Sequence, residues 1–415
     1  MSAARRRAPG ILLVHADWGV PYAATVGEHV EAFGRYSAFP VTRVNTALGF
    51  PPGLPRLRFD VLLLHYSLFG IHPYAFDDRF RAYFAECGST TVAFFQDEYR
   101  FCRERAAFVG EVDVDLIYTL VEPERIAEVY PRHAREGRAV YTLPGHVGPR
   151  LLAAARRFAR PDAERTVDVA YRARSVPYYL GRAGQEKDGI SRAFGARAAG
   201  TGLRLDLDAD QSTRLYGDDW WRFLGNARAT LGIEGGASAF DLDGRVYEEH
   251  QRLLAADPSL TFEEYEARAP ALREVDYRLP SLMITPRHLE AAAFRCCQIL
   301  YEGRYSGMLR PVEHYIPLRK DLSNFDEAIR MFRDDDLRRT IAENAHRNLV
   351  ASGALAYERL VADLDRRLRE LGVPVPAGRR SPAAGLRVGQ AGRRGRRWTA
   401  RHAVGLRRRL GGERD

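Results

Sequence analysis

The chain has almost no lysine. Of its 63 basic residues only Lys187 and Lys320 are lysines, so each marks a position where a compact ammonium answers a local need. Cysteine is nearly as scarce: Cys87, Cys102, Cys296 and Cys297 are the four in 415 residues. They show no zinc-ligand spacing, and the adjacent pair on a helix cannot readily join to itself, so reduced thiols in a cytoplasmic protein are expected. Long apolar runs are missing. Runs such as Ile11–Val14 and Val61–Leu64 fall far short of the roughly 20 residues that cross a bilayer. Arg5-Arg6-Arg7 precedes a short apolar run, but His15 and Asp17 follow at once without a small-residue cleavage pattern, which argues against a signal peptide. Spaced glycines are absent after the first apolar run, where His15-Ala16-Asp17-Trp18-Gly19 stands instead. That excludes the pyrophosphate cradle of a dinucleotide-dependent dehydrogenase. No carboxylate pair has metal-ligand spacing, and neither metal nor cofactor is expected.

What is present suits a soluble globular protein: 46% hydrophobic and 28% charged residues, in a chain long enough for two or three domains. The net charge of +9 is unevenly placed. Residues 378–415 carry twelve arginines against Glu413 and Asp415, a net +10, which leaves the rest of the chain at −1. The body is therefore close to neutral, which argues against nucleic acid as a partner of the whole molecule. The Arg/Gly/Ala-rich tail, with Trp398, reads as a solvated, largely disordered end. The alternative is peripheral contact with anionic lipid on the inner face of a membrane, where each arginine adds roughly 1 kcal/mol.

Along the chain, short β-branched or aromatic runs alternate with helical spacings. Strands are expected at Gly10–Ala16, Val41–Asn45, Phe59–Ser67, Thr90–Gln96, Asp115–Val121 and Ala139–Leu143, with helices at Tyr22–Tyr36, Tyr74–Cys87 and Pro123–Tyr130. A second cycle opens with the strand at Val167, which breaks into a basic loop at Arg172 and Arg174. The helix Gln185–Ala199, the strand Leu203–Leu207 and an aromatic-rich helix start at Asp218–Leu231 follow. Residues 234–280 read as an irregular, acidic insertion, and helices at Asn324–Arg333, Leu337–Leu349 and Ala356–Leu371 close the body. Such alternation gives an α/β fold of two Rossmann-like, doubly wound domains. The expected units are 1–150, 151–371 and a basic tail, 372–415. Trp220-Trp221 reads as packing.

The most informative stretch is Arg287-His288-Leu289-Glu290-Ala291-Ala292-Ala293, followed by the apolar run to Glu302, then Gly303, Ser306-Gly307 and His314-Tyr315. A carboxylate-bearing helix, a strand, a glycine loop and a second strand in this order bring Glu290 and the loop to one crevice. A carboxylate can accept two ribose hydroxyls. Glycines let backbone N–H groups approach phosphate, so Gly303, Ser306 and Gly307 are candidates for that work, and His314 for lining the pocket. Arg172, Arg174 and Lys187 offer the positive charge a departing diphosphate needs. Glu234-Gly235-Gly236 is a further candidate for close backbone approach.

These residues resemble the nucleotide-sugar domain of group 1 glycosyltransferases of the GT-B architecture, in particular the CgeB-like branch, over about residues 166–370. The resemblance implies a hexosyltransferase of polysaccharide biosynthesis. It would use a nucleotide-sugar donor and a glycan, a lipid-linked saccharide or a small molecule as acceptor. It implies that Glu290, followed by Ala291, binds the donor ribose. Many members carry another glutamate eight positions earlier beside the reacting sugar. Leu282 stands there, so no catalytic carboxylate transfers to that position. Proton acceptors are then sought on the first domain, at the strand ends: His15, Asp17 and His65, with Asp97 or Glu98 beside them. The alternatives are a nucleotide-sugar epimerase of the same architecture and a non-enzymatic protein that binds through its tail.

Overall fold

The computed structural model describes residues 5–19 and 24–376; residues 377–415 of the expected tail and Tyr22 lie outside them. Six parallel strands make the first sheet: β1 (Arg6–His15), β2 (Val41–Asn45), β3 (Leu57–Leu64), β4 (Thr90–Phe94), β5 (Leu116–Thr119) and β6 (Ala139–Tyr141). Their order is β2-β1-β3-β4-β5-β6. Ile11–Val14 and Val61–Leu64 are buried on both faces, which is why they read as unbroken apolar runs rather than as alternation. The second sheet, also parallel, joins β7 (Val167–Arg172), β8 (Leu205–Asp208), β9 (Ala227–Gly232), β12 (Cys297–Tyr301) and β13 (Ile316–Leu318) in the order β13-β12-β9-β7-β8. A short antiparallel pair, β10 (Gly235–Ala237) and β11 (Ser281–Met283), forms a separate two-stranded sheet after β9.

Both sheets have the doubly wound pattern in which the second strand lies outside the first and the third lies on its other side. In such sheets ligands bind beyond the carboxyl ends of the strands, where the order reverses. In the second sheet that point lies between β7 and β9. The two doubly wound units expected of the GT-B architecture are present, and both contribute strand ends to a single crevice.

Three features depart from the sequence reading. The stretch taken as one helix start at Asp218–Leu231 is the helix Gly217–Gly225 followed by the central strand β9. Ala227, Ala229 and Leu231 are buried while their alternate neighbours are half-buried, so position in the sheet overrides a weak strand propensity. The insertion is not irregular but forms helices at Arg245–Ala256, Phe262–Arg268 and Pro270–Val275, the second opened by a Thr261–Glu264 capping box. These helices pack on the first sheet: Phe240, Val246, Tyr265 and Leu272 share a core with Phe69 and Phe95. Finally, the helix Tyr357–Glu370, expected within 151–371, returns to the first unit. Its Tyr357, Leu360, Val361 and Leu364 pack with Ile11, Val30 and Leu63. The outgoing and returning chains meet where Val147 N–H donates to Leu355 O (2.8 Å) and Tyr357 N–H to Val147 O (3.2 Å).

Candidate functional site

A cavity of about 410 Å³ lies between the units. Tyr66, Gln96, Asp97 and Tyr99, at the ends of β3 and β4, line it from the first unit. Opposite them stand the ends of β7 and β9 and the start of the helix Pro286–Ala293. Thr285 caps that helix through a reciprocal pairing with His288, and its N-terminus opens on the cavity, where the helix dipole favours an anion. Close packing of β10 on β11 shapes the floor. Gly236 has φ +103°, and a Cβ there would sit 1.8 Å from Ser281 O, so only glycine fits.

Besides Arg172, four cations line the second unit's side: Arg174, Lys187, Arg214 and Arg287. None has an ion pair among the described residues. Arg174 follows β7, Lys187 lies on the helix Arg182–Arg197, and Arg287 on the first turn of Pro286–Ala293. Burial pushes the Lys187 ammonium down to about 8; Arg174 and Arg287 push the same way, and only Asp97, across the crevice, opposes them. Burial lowers Arg214 as well, again with Arg174 and Arg287 contributing. The mutual effects place these charges in one field. Arg172 lines the same wall but is committed. Its Nη2 bonds Asp206 Oδ1 at 2.6 Å and its Nη1 donates to Asp206 O at 3.0 Å, with the guanidinium lying over the Phe223 ring.

Glu290 lies at the inner end of this wall, 6% exposed. Trp220 Nε1 donates to its Oε2 at 3.0 Å. Burial raises its carboxyl to about 7, against the opposing pull of Arg287 and the Trp220 hydrogen bond. Trp220, read as packing from sequence, lines the cavity with the Arg287 guanidinium 5.8 Å from its ring centroid. Trp221 does pack, stacked on Phe294. A flat indole beside a carboxylate, leading to clustered cations, can hold an aromatic base, a diol and a diphosphate in sequence.

Several solved structures are similar to the chain in fold. No protein-family model matches the chain, and no curated protein matches it in sequence. An α-glucosyltransferase in complex with UDP and a 13-mer DNA has 10% identity and a TM-score of 0.49 over 88% of this chain and 99% of that one. Sucrose-phosphate synthase from Thermosynechococcus elongatus has 12% identity and a TM-score of 0.44, with the same coverage of 88% and 99%. Anabaena HepE in complex with UDP-glucose has 10% identity and a TM-score of 0.44, again over 88% and 99%.

Of the residues singled out in the sequence, the structure gathers Arg172, Arg174, Lys187 and Glu290 around the cavity, together with Glu234, Gly235 and Gly236. It does not bring Gly303, Ser306, Gly307 or His314 to its lining. A Cβ on Gly303 would meet Glu234 Oε2 at 2.6 Å, and Tyr305 N–H donates to Glu234 Oε1 at 2.7 Å. The loop expected to cradle a phosphate thus holds one of the chain's own carboxylates. Ser306 Oγ accepts from Ile284 N–H (3.3 Å), and buried His314 closes a turn by accepting from Arg310 N–H (3.1 Å).

The expected proton acceptors sit behind the crevice. His65 is fully buried, its Nδ1 2.9 Å from Ser67 Oγ and its Nε2 3.0 Å from His29 Nδ1. Burial pushes His15 down to about 4, only partly offset by Asp17. Asp17 Oδ1 accepts from Gly19 N–H at 2.9 Å, and its backbone is tied on both sides to the Asn45 amide. None of the three lines the cavity. Glu98 is buried among Thr119, Leu120 and Tyr130, which all donate to it. Asp97 is the acid that the first unit presents to the crevice. Arg214 and Arg287 were not singled out as cations. Arg214 stands in a patternless loop, while Arg287, three residues before Glu290, sits one helical turn from it and was legible by spacing.

Proposed function

We propose that the chain is a glycosyltransferase of hexosyltransferase type. It would move a sugar from a nucleoside diphosphate to a hydroxyl of a glycan, a lipid-linked saccharide or a small molecule. One observation carries this reading: Arg174, Lys187, Arg214 and Arg287 stand in one field without an ion pair among the described residues, beside a buried carboxylate and an indole. Like charges about 6 Å apart repel by roughly 3 kcal/mol at an effective dielectric of about 20. A cluster of four such charges is an arrangement waiting for an anion. A diphosphate answers its charge, and Glu290, on the same cavity wall with Oε2 held by Trp220, offers its other carboxylate oxygen to ribose hydroxyls.

In transfer the bond between the sugar's anomeric carbon and the β-phosphate oxygen breaks, and its electron pair leaves with the diphosphate. The cations stabilise that developing charge, and the helix N-terminus at Thr285–Arg287 adds to the field. The acceptor hydroxyl approaches from the first unit, its oxygen forms the new bond to the anomeric carbon, and its proton passes to an oxygen of the leaving diphosphate. The cluster supplies the positive charge a divalent ion would otherwise bring, so transfer should survive chelation.

Calorimetry and thermal shift with a panel of nucleotides test the donor site; UDP and UDP-glucose, the ligands of two structures above, head it. A nucleoside diphosphate should bind and raise Tm, and Lys187→Ala or Arg287→Ala should each weaken it about tenfold, as lost charge-assisted hydrogen bonds do. Binding of no nucleotide, or binding indifferent to both substitutions, would remove the reading. Product analysis then separates transfer from epimerisation: an isomerised donor without any acceptor marks an epimerase. Deleting residues 378–415 should leave turnover of a soluble acceptor intact, whereas a protein that works by tail binding would lose its function.

A further inference from the structure

Resting on that reading, we propose that Asp97 is the residue by which the first unit recognises the hydroxyls of the sugar being transferred. The resemblance places a sugar-binding glutamate where this chain has Leu282. Leu282 is the middle residue of β11, paired with Gly236, and is not among the residues lining the cavity. That part is left to another group at the crevice, and a carboxylate suits hydroxyls.

Three acids line it: Asp97, Glu234 and Glu290. Glu290 is sequestered beside Trp220, at the nucleoside end. Glu234 is turned onto the Gly303–Tyr305 loop, which takes its Oε1, and its charge is felt by Glu186 and Lys320 rather than by the cation cluster. Asp97 is exposed, and its Oδ1 accepts the Tyr99 hydroxyl at 2.8 Å, which fixes the carboxylate's direction; among the described residues Oδ2 takes no hydrogen bond, and Arg100 beside it feels its charge. Asp97 follows β4 with φ 53°, a left-handed backbone that costs energy for any residue with a side chain. Strain of this kind gathers where a side chain must be aimed.

Its position fixes what it can touch. Asp97 is the anion that Lys187 feels across the crevice, and Lys187 belongs to the cluster assigned to the diphosphate. Asp97 lines the cavity from the first unit, facing those cations, so it meets what the diphosphate carries toward that unit, which in a nucleotide sugar is the sugar. A carboxylate with one oxygen anchored and one open accepts hydroxyl hydrogen bonds, two where the hydroxyls are vicinal. Free diphosphate, being an anion, gains nothing from it. The residue therefore favours nucleotide sugar over the product nucleotide, which would limit inhibition by the leaving group.

The test is the ratio of two dissociation constants, for UDP-glucose and for UDP, measured by calorimetry in the native protein and in Asp97→Asn. GDP-mannose and GDP are the second probe pair. Asparagine tolerates the left-handed backbone, so the variant should fold, and an unchanged Tm checks this. The ratio should rise about tenfold in the variant, the loss expected for charged hydrogen bonds to hydroxyls. Removing a negative charge near Lys187 strengthens both ligands alike and cancels in the ratio, as does any general loosening of the site. A ratio unchanged within twofold, with UDP still bound, overturns the role of Asp97 and leaves the donor site standing. No binding of any nucleotide by the native protein overturns both.

Discussion

Lys187 and Glu290 titrate on opposite sides of a narrow window. Burial raises Glu290 to about 7 and lowers Lys187 to about 8. Donor binding as argued needs the first as a carboxylate and the second as an ammonium. Affinity for UDP should therefore climb as pH rises through about 7 and fall as it passes about 8, giving a bell. Glu290→Gln should flatten the acidic limb and Lys187→Arg the basic one, since arginine keeps its charge. Calorimetry between pH 5.5 and 9.5 reads both; a profile flat across that range would detach these residues from the ligand. The same shifts oppose folding. Glu290 holds a proton in the folded chain that the unfolded chain has lost between about pH 4.5 and 7, so stability declines as pH rises through that range. Lys187, neutral in the fold where the unfolded chain still binds a proton, makes stability rise between about pH 8 and 10.5. A site that costs stability in both protonation equilibria is the mark of residues placed for a ligand. Rarity made Lys187 legible in the sequence, and its helical context did the same for Glu290. Asp97 and Glu98 are neighbours in one strand-end cluster, and only the backbone turn at Asp97, φ 53°, decides which of them faces the crevice. No sequence pattern carries that.

At the scale of elements, the strands with unbroken apolar runs were legible because both of their faces are covered. β9 was not, because Ala227-Arg228-Ala229-Thr230-Leu231-Gly232 has little strand propensity and is a strand only by lying between β7 and β12. The insertion helices carried one readable signal, the Thr261–Glu264 capping box, within a polar, turn-rich stretch. The helix Tyr357–Glu370 was legible as a helix, but its partner was not, since amphipathic spacing says nothing of which sheet it covers. Its docking rests on a polar contact inside an apolar seam: buried Asp365 accepts from Ser37 Oγ at 2.7 Å and from Ala38 N–H at 2.6 Å. Asp365→Ala leaves both donors buried without an acceptor, so it should cost about 2–4 kcal/mol. Urea unfolding should show this as a lower midpoint with an unchanged slope. UDP affinity in the folded variant should stay within about twofold, because the lesion lies past the last residue of the helix Ala24–Tyr36, whose first residues are those that line the cavity. A loss below about 0.5 kcal/mol would mean that the apolar seam alone holds the helix.

The whole molecule is tied together more tightly than a chain of two successive domains. Residues after Glu234 leave the second unit to complete the first unit's core. The chain comes back for β11 and β12, and after Leu355 it crosses again. Neither unit owns a continuous segment of sequence, so neither can unfold without stripping apolar surface from a segment anchored in the other. The protein should therefore unfold in one transition despite its two sheets. Its tryptophans allow the test. Trp18 packs at the first core, Trp221 in the second, and Trp398 belongs to the tail. With Trp398→Phe as background, a variant keeping only Trp18 reports on the first unit, and one keeping only Trp221 on the second. In urea the two fluorescence midpoints should coincide with each other and with the loss of helical circular dichroism, as cooperative unfolding requires. Saturating UDP should shift both midpoints together, because a ligand bound at the crevice stabilises every segment that must part for it to leave. Separate midpoints, or a shift confined to Trp221, would show instead that the crossing segments detach first and that the crevice is built by one unit alone.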